Sequence, residues 1–304
     1  MFQLPSDFAT IKRHLVRVST VAPSLRALNN LNLTLLQLKY ETVVGTTSLP
    51  HLHHWLLIEC DPAYEAVYLR NQTSPAPGLC SAPAWQLAQQ HCQKISLAWA
   101  TGGDLVVDMP SDKGYPLGGS ATETKHFFLQ VHYEKPAEQR GVSVQNGVRL
   151  YVTKRLRPVE FGILTVASDA HPLAISIPPR MTALSVETLC PSEFMNAFYT
   201  PAGNITVFAS LPHTHLAGRS VLSKVVRDGK EVEFIARNQF YDSAYQYVNY
   251  LARPVLLQRN DAIVLSCVYN TMDREGFTVG GPGTRDEMWQ VKERLRAGFK
   301  GCCR

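Results

Sequence analysis

The side chains best suited to hold a metal ion in this sequence are histidines at short spacing. His213-Thr214-His215 sets two imidazoles two residues apart. In a strand, residues i and i+2 project from one face, so this pair can bind one ion side by side. The same spacing also suits a plain pair of surface histidines. His53 and His54 are adjacent, with His51 just before them. Neighbours in a regular strand face opposite ways, so only a bulge or a twisted strand end brings both to one ion. Otherwise they are histidines near the turn after Pro50. His132 stands in the apolar stretch Leu129-Gln-Val-His-Tyr133, where a core histidine is the plain alternative to a ligand. Met288 follows Val279-Gly-Gly-Pro-Gly283, and it either packs or adds a thioether to two imidazoles. Thioether with imidazole suits Cu(I) and matches Mg or Ca poorly.

Other chemistries lack their residues. Gly280-Gly281-Pro282-Gly283 has neither the Lys-Ser/Thr of a P-loop nor the spacing of a dinucleotide fingerprint. There is no Cys-x-x-Cys pair and no Gly-x-Ser-x-Gly elbow. Asp286-Glu287 reads as a solvated acidic pair rather than an acid–base dyad. His14, His91, His126 and His171 have no evident partners. The net charge of +5 comes from scattered Lys and Arg with no basic run, so nucleic acid is not an expected partner.

The elements that must position these groups read mostly as strands. With 304 residues, 45% apolar and 18% charged, the chain is an ordinary globular one with a length prior of two domains. No apolar run approaches the roughly 18 residues of a membrane span. Strands are expected at His126–Tyr133, Gly147–Thr153, Ile205–Ser210, Val221–Arg227, Glu231–Ile235 and Asp261–Tyr269. Asp228-Gly229 marks a hairpin turn between two of them. Helices are expected at Ala84–Cys92 and over the charged stretch Met288–Phe299. Many short strands between Pro, Gly and Asn turns predict β-sandwiches, with a boundary near Leu156-Arg157-Pro158.

Seven cysteines and the sequons at Asn32, Asn71 and Asn204 lean towards a secretory ancestor. No leader is legible at Met1-Phe2-Gln3-Leu4, which predicts a chain shortened at its N-terminus.

Taken together, the motifs resemble the copper type II, ascorbate-dependent monooxygenases, and within them the dopamine β-hydroxylase-like branch. The stretches that carry the resemblance are Lys39-Tyr-Glu-Thr-Val-Val44, His53-His-Trp-Leu-Leu-Ile-Glu-Cys60, Leu97-Ala-Trp-Ala-Thr-Gly-Gly103 and Leu129-Gln-Val-His-Tyr133. They continue with Ile177-Pro-Pro-Arg180, His213-Thr-His-Leu-Ala-Gly-Arg219, Val225-Val-Arg-Asp-Gly229, Cys267-Val-Tyr-Asn-Thr-Met-Asp-Arg-Glu275 and Val279-Gly-Gly-Pro-Gly283. The resemblance implies an all-β fold of two tandem antiparallel, jelly-roll-like β-sandwich domains, at 39–158 and 159–288. It sets apart a divergent segment, 1–38, and a divergent tail, 289–304, which reads as a charged helix.

The same resemblance implies two copper ions per chain. His53, His54 and His132 match the ligands of the electron-delivering copper. His213, His215 and Met288 match those of the oxygen-activating copper, and His213 also matches a catalytic position. Ascorbate is the implied reductant, with O2 and a small amine as the other partners, in C–H hydroxylation in the secretory pathway. Cys60 and Cys92 match a family disulfide.

The chain also departs from the family. Thr20-Val21-Ala22-Pro23 stands where relatives carry Thr-Tyr-Trp-Cys, so Cys80 lacks its partner. Trp289 stands where a cysteine would pair with Cys267, and Cys190 is left to reach Cys302 or Cys303. Leu211 and Pro212 precede the His-Thr-His where peptide-amidating relatives carry an Arg two positions before it, which disfavours a glycine-extended peptide. These losses open an alternative: an inactive, degenerate relative with an incomplete copper or substrate site.

Overall fold

In the computed structural model, the structure describes residues 39–60, 91–117, 127–133, 143–153, 155, 157–167, 172–196, 199, 204–281 and 283–288. It also describes the backbone of the strands Phe2–Gln3, Thr10–Leu15, Leu35–Val44, Gly78–Leu79, Trp289–Arg296 and Lys300–Cys303. The chain divides into two compact units, Met1–Glu160 and Phe161–Arg304. Strands dominate both. Among the described residues, Ser192–Asn196 is a short α-helix, and no helix is long and apolar enough to cross a membrane.

In the first unit one sheet runs in the order Gly78–Leu79, Thr10–Leu15, Phe127–Tyr133, Leu52–Cys60, Cys92–Ala100. A second runs Asn146–Thr153, Leu35–Val44, Lys113–Leu117, Val159–Glu160, with Val106–Asp108 also paired to Leu35–Val44. The sheets meet through aromatic side chains. Trp55, on the first, donates its indole N–H to Thr42 Oγ1 on the second at 3.1 Å. Its ring meets Tyr40 edge to face, with centroids 5.8 Å apart. Such a pair adds packing energy beyond its buried area. Glu59 is buried, accepts a hydrogen bond from the Tyr115 hydroxyl, and pairs with Lys94 at 3.1 Å. Cys60 and Cys92 form a disulfide between neighbouring strands.

In the second unit one sheet runs Asn249–Leu257, Ile205–Thr214, Trp289–Arg296, Gly162–Ala167, Lys300–Cys303. The other runs Leu184–Cys190, Ala262–Tyr269, Gly218–Arg227, Lys230–Asn238. Leu164, Val166 and Val207 of the first sheet share one apolar core with Val221, Val225 and Leu265 of the second. Asp228 and Gly229 both have positive φ, at 50° and 73°, as the hairpin turn between Gly218–Arg227 and Lys230–Asn238 requires.

The all-β expectation holds, and strands stand at Phe127–Tyr133, Asn146–Thr153, Ile205–Thr214, Gly218–Arg227, Lys230–Asn238 and Ala262–Tyr269, close to the expected places. The helical tail is not present. Trp289–Arg296 is a strand, held on one side by Ile205–Thr214 and on the other by Gly162–Ala167. Its sequence alternates Trp289, Val291, Glu293 and Leu295 with Gln290, Lys292, Arg294 and Arg296, and its charges mask that period of two. A slot between two strands supplies every backbone partner and overrides helix propensity. The expected helix at 84–92 falls almost wholly outside the described residues, as do Asn32, Asn71, Cys80 and the Thr20–Pro23 stretch. Asn204 is exposed, just before a strand. Cys190 is disulfide-bonded, and Cys267 is buried as a free thiol, which burial makes harder to ionise.

Two outcomes follow. Removal of residues 289–304 takes the middle strand from the second unit's sheet. It is expected to erase that unit's urea unfolding transition and spare the other; two transitions at unchanged midpoints would show the strand to be dispensable. Replacing Cys60 and Cys92 by Ala opens a loop with a sequence separation of 32. It is expected to lower the first unit's unfolding free energy by about 3–4 kcal/mol, measured by the same titration.

Candidate metal centres

His132 lies in Phe127–Tyr133, an inner strand of its sheet, and is 1% exposed. On the neighbouring strand, Leu52 pairs with Tyr133 and His54 with His132. Two residues on one strand thus pass for one on the other, and His53 is the extra residue of a bulge. The bulge is the device that adjacent histidines need to share one side. Thr101, at the start of the Thr101-Gly102-Gly103 turn, holds it. Its N–H donates to the His53 carbonyl at 2.9 Å. Its hydroxyl lies 3.0 Å from that carbonyl and 3.2 Å from the carbonyl of Leu52.

The three rings converge. Centroids are 5.1 Å apart for His53–His54, 5.0 Å for His53–His132 and 4.9 Å for His54–His132. Each offers a ring nitrogen, all within 4.8 Å of one another, and the Nδ1 atoms of His53 and His54 are 2.9 Å apart. Three ring nitrogens gathered this closely suit a cation that prefers imidazole ligands. The site is half-buried at His53 and His54 and closed at His132.

The second cluster is built on the end of Ile205–Thr214. His213 and His215 are 9% and 3% exposed, with ring centroids 5.2 Å apart. The residue between them is pinned from outside: Thr214 N–H donates to the Tyr241 hydroxyl at 3.0 Å, and that hydroxyl donates to the Thr214 carbonyl at 2.9 Å. His213 Nδ1 is 2.5 Å from Gln246 Oε1, and His215 Nδ1 is 3.0 Å from the Asp286 carbonyl. The chain then turns sharply at Gly218, where a Cβ would stand 1.7 Å from Thr214 Oγ1, so only glycine fits.

Met288 is half-buried and immediately precedes the strand Trp289–Arg296. That strand pairs Gln290 with His213 and Trp289 with Thr214. Continued one step past the last paired residues, that register would bring Met288 opposite His215. Opposed residues of an antiparallel pair share a face, with Cβ atoms about 4.5–5.5 Å apart. With Met288 added, the three side chains would make a donor set of two imidazoles and a thioether, a type suited to Cu(I).

Glu287 was expected to be solvated, with Asp286. It is wholly buried. Its carboxylate accepts the backbone N–H of His215 at 3.0 Å and of Ala217 at 2.6 Å. Burial pushes the carboxyl up to about 7, opposed by these two bonds and by the charge of Arg274. Asp286 caps the preceding loop by accepting Gly283 N–H at 3.0 Å. A Cβ on Gly281 would come within 2.4 Å of that carboxylate, so the glycines make room for Asp286 rather than for a phosphate. The sequence gives no local sign of the roles of Thr101, Gln246 and Glu287. Thr101 stands in the Leu97–Gly103 stretch, while no pattern marks Gln246.

Comparison with known proteins gives both clusters a context. Residues 3–140 match the model of the copper type II ascorbate-dependent monooxygenase N-terminal domain, and residues 159–291 match that of the C-terminal domain. The first match takes in most of the 1–38 segment, and the second enters the tail. Human dopamine beta-hydroxylase is 33% identical over 251 residues, 83% of this chain and 39% of that protein. The tyramine beta-hydroxylase of Caenorhabditis briggsae is 31% identical over 227 residues, 74% of this chain and 37% of that protein. Mouse DBH-like monooxygenase protein 2 is 30% identical over 256 residues, 82% of this chain and 39% of that protein. Among solved structures, the major capsid protein P2 of bacteriophage PM2 aligns over 94% of this chain and 97% of its own, at 9% identity and a TM-score of 0.32, too distant to bear on the fold.

The chain belongs to the copper type II ascorbate-dependent monooxygenase family. It spans about two fifths of the length of the curated relatives it matches, 39% in the human case.

Thr101→Val removes the hydroxyl that braces the bulge. Metal affinity at the three-histidine cluster is expected to fall roughly tenfold while the other cluster is unaffected. Competition with a chelator measures this; equal affinities would show that the backbone bond alone holds His53.

Proposed function

We propose that this chain is a two-copper, ascorbate-reduced monooxygenase that hydroxylates a C–H bond of a small amine with O2. His53, His54 and His132 hold one copper, and His213, His215 and Met288 hold the other. The observation that carries this reading is the convergence of three imidazoles within 4.8 Å on a bulge made for them, in a chain of this family. Copper bound there supplies one-electron transfer at the all-imidazole centre and activation of O2 where a thioether favours the reduced ion.

The protein's own contribution is positioning. The bulge aligns His53 with His54, and the paired strands fix His132 against them. Tyr241 and Glu287 lock the backbone on both sides of His215, so its ring cannot swing with the turn. Substrate choice is read from Leu211 and Pro212, which offer no cation to a peptide carboxylate and so favour an amine over a peptide. The Cys60–Cys92 bridge and the exposed sequon at Asn204 support an exported glycoprotein.

The test is copper stoichiometry after reconstitution, followed by ascorbate-dependent O2 consumption with phenylethylamines. Two coppers per chain and amine-stimulated consumption are expected. His213→Ala and His132→Ala should each remove one copper and leave the other. Failure to bind copper, or two coppers without turnover, would identify the degenerate relative instead.

A further inference from the structure

The segment 239–248 joins the strands Lys230–Asn238 and Asn249–Leu257 and presents aromatic side chains outward: Phe240 is 94%, Tyr245 66% and Tyr247 49% exposed. Two of its side chains turn inward, and both bond to the His213-Thr214-His215 stretch. Tyr241 takes the backbone of Thr214. Gln246, 4% exposed, takes the ring of His213.

The amide of Gln246 has a determined orientation. Its Nε2 donates to the Ser243 carbonyl at 2.7 Å, and a carbonyl can receive only the NH2 end. The oxygen is therefore the atom that faces His213, 2.5 Å from Nδ1. An amide oxygen accepts and does not donate, so Nδ1 must carry the proton in the neutral ring. The lone pair is then on Nε2. His215 has the equivalent bond, but to the Asp286 main-chain carbonyl, which no substitution removes. Gln246 is the replaceable one.

We propose that Gln246 is a positioning residue that fixes His213 in its Nδ1–H tautomer and so makes Nε2 the nitrogen offered to a metal ion. The proposal rests on the reading of His213 as a ligand. It also ties that ligand to an outward-facing aromatic segment, so that the ring's orientation depends on the conformation of 239–248.

The tautomer is tested in the metal-free full chain. Long-range proton–nitrogen correlation of 15N-histidine-labelled protein, at a pH where the ring is neutral, separates the two forms, and His213→Gln assigns the signal. The wild type is expected to show protonated Nδ1 and bare Nε2 at His213. Gln246→Leu is expected to lose that pattern and to bind copper at the second centre about 10- to 100-fold more weakly, with the three-histidine centre unchanged. Gln246→Glu keeps an oxygen towards His213, at the cost of the Ser243 bond, and is expected to keep the pattern. It also serves as the test if the Leu variant does not fold.

A wild-type His213 with protonated Nε2 overturns the proposal, as does a Gln246→Leu protein with unchanged tautomer and copper affinity, or a Gln246→Glu protein whose His213 switches to Nε2–H. Because the tautomer is read without copper, a chain that shows it yet binds no copper supports the tautomer assignment and overturns only the metal reading.

Discussion

A carboxylate removed entirely from water must find its hydrogen bonds inside the protein, and Glu287 finds them on the backbone of the turn that follows His213-Thr214-His215. Its two oxygens take the N–H groups of His215 and Ala217. Neither group is committed to the strand pairing there, and either would be costly to bury unsatisfied. One side chain thus shapes the chain on both sides of Leu216. Its place in sequence, directly before Met288, joins the third candidate donor to the first two. The close approach of Gly218 to Thr214 and the bond from His215 to the Asp286 carbonyl hold the same junction.

The two clusters solve one problem by different routes. Adjacent histidines require a broken strand register, supplied by the bulge at His53 and braced by Thr101 from the next connection. Histidines two apart need no such break, and the regular end of Ile205–Thr214 presents both. What they need is restraint of ring orientation, and here it comes from a loop side chain and a main-chain carbonyl. The first centre is a matter of backbone geometry within a sheet, and the second of anchoring around a strand end.

Alternation made the strands legible, and Asp228-Gly229 announced its hairpin, because both effects act between residues close in sequence. The metal-ligand types were legible for the same reason, and the need for a bulge at His53-His54 follows from strand geometry alone. Thr101, Gln246 and Glu287 were not legible in that way. Thr101 acts on a residue 48 positions away, Gln246 on one 33 away and Glu287 on one 72 away. No local period records such pairings. Asp286-Glu287 looked solvated because two acids in a glycine-rich stretch usually are. Trp289–Arg296 looked helical because its charges outweighed its period of two, and only the slot between two distant strands decides its state.

That slot has a consequence for how the protein is made. Ile205–Thr214, which carries His213, does not pair directly with Gly162–Ala167; Trp289–Arg296 runs between them. During synthesis the chain passes through residues 161 to 288 with the middle of this sheet still missing. The two flanking strands wait with unpaired N–H and C=O groups, the condition in which sheet edges recruit foreign strands. At about 5–20 residues per second, the two flanking strands wait on the order of several seconds for Trp289–Arg296 to be made. The first unit meets no such delay, since its strands all lie within the first 160 residues. The first unit can therefore be finished while the second still depends on Trp289–Arg296, which emerges after both of the strands it joins.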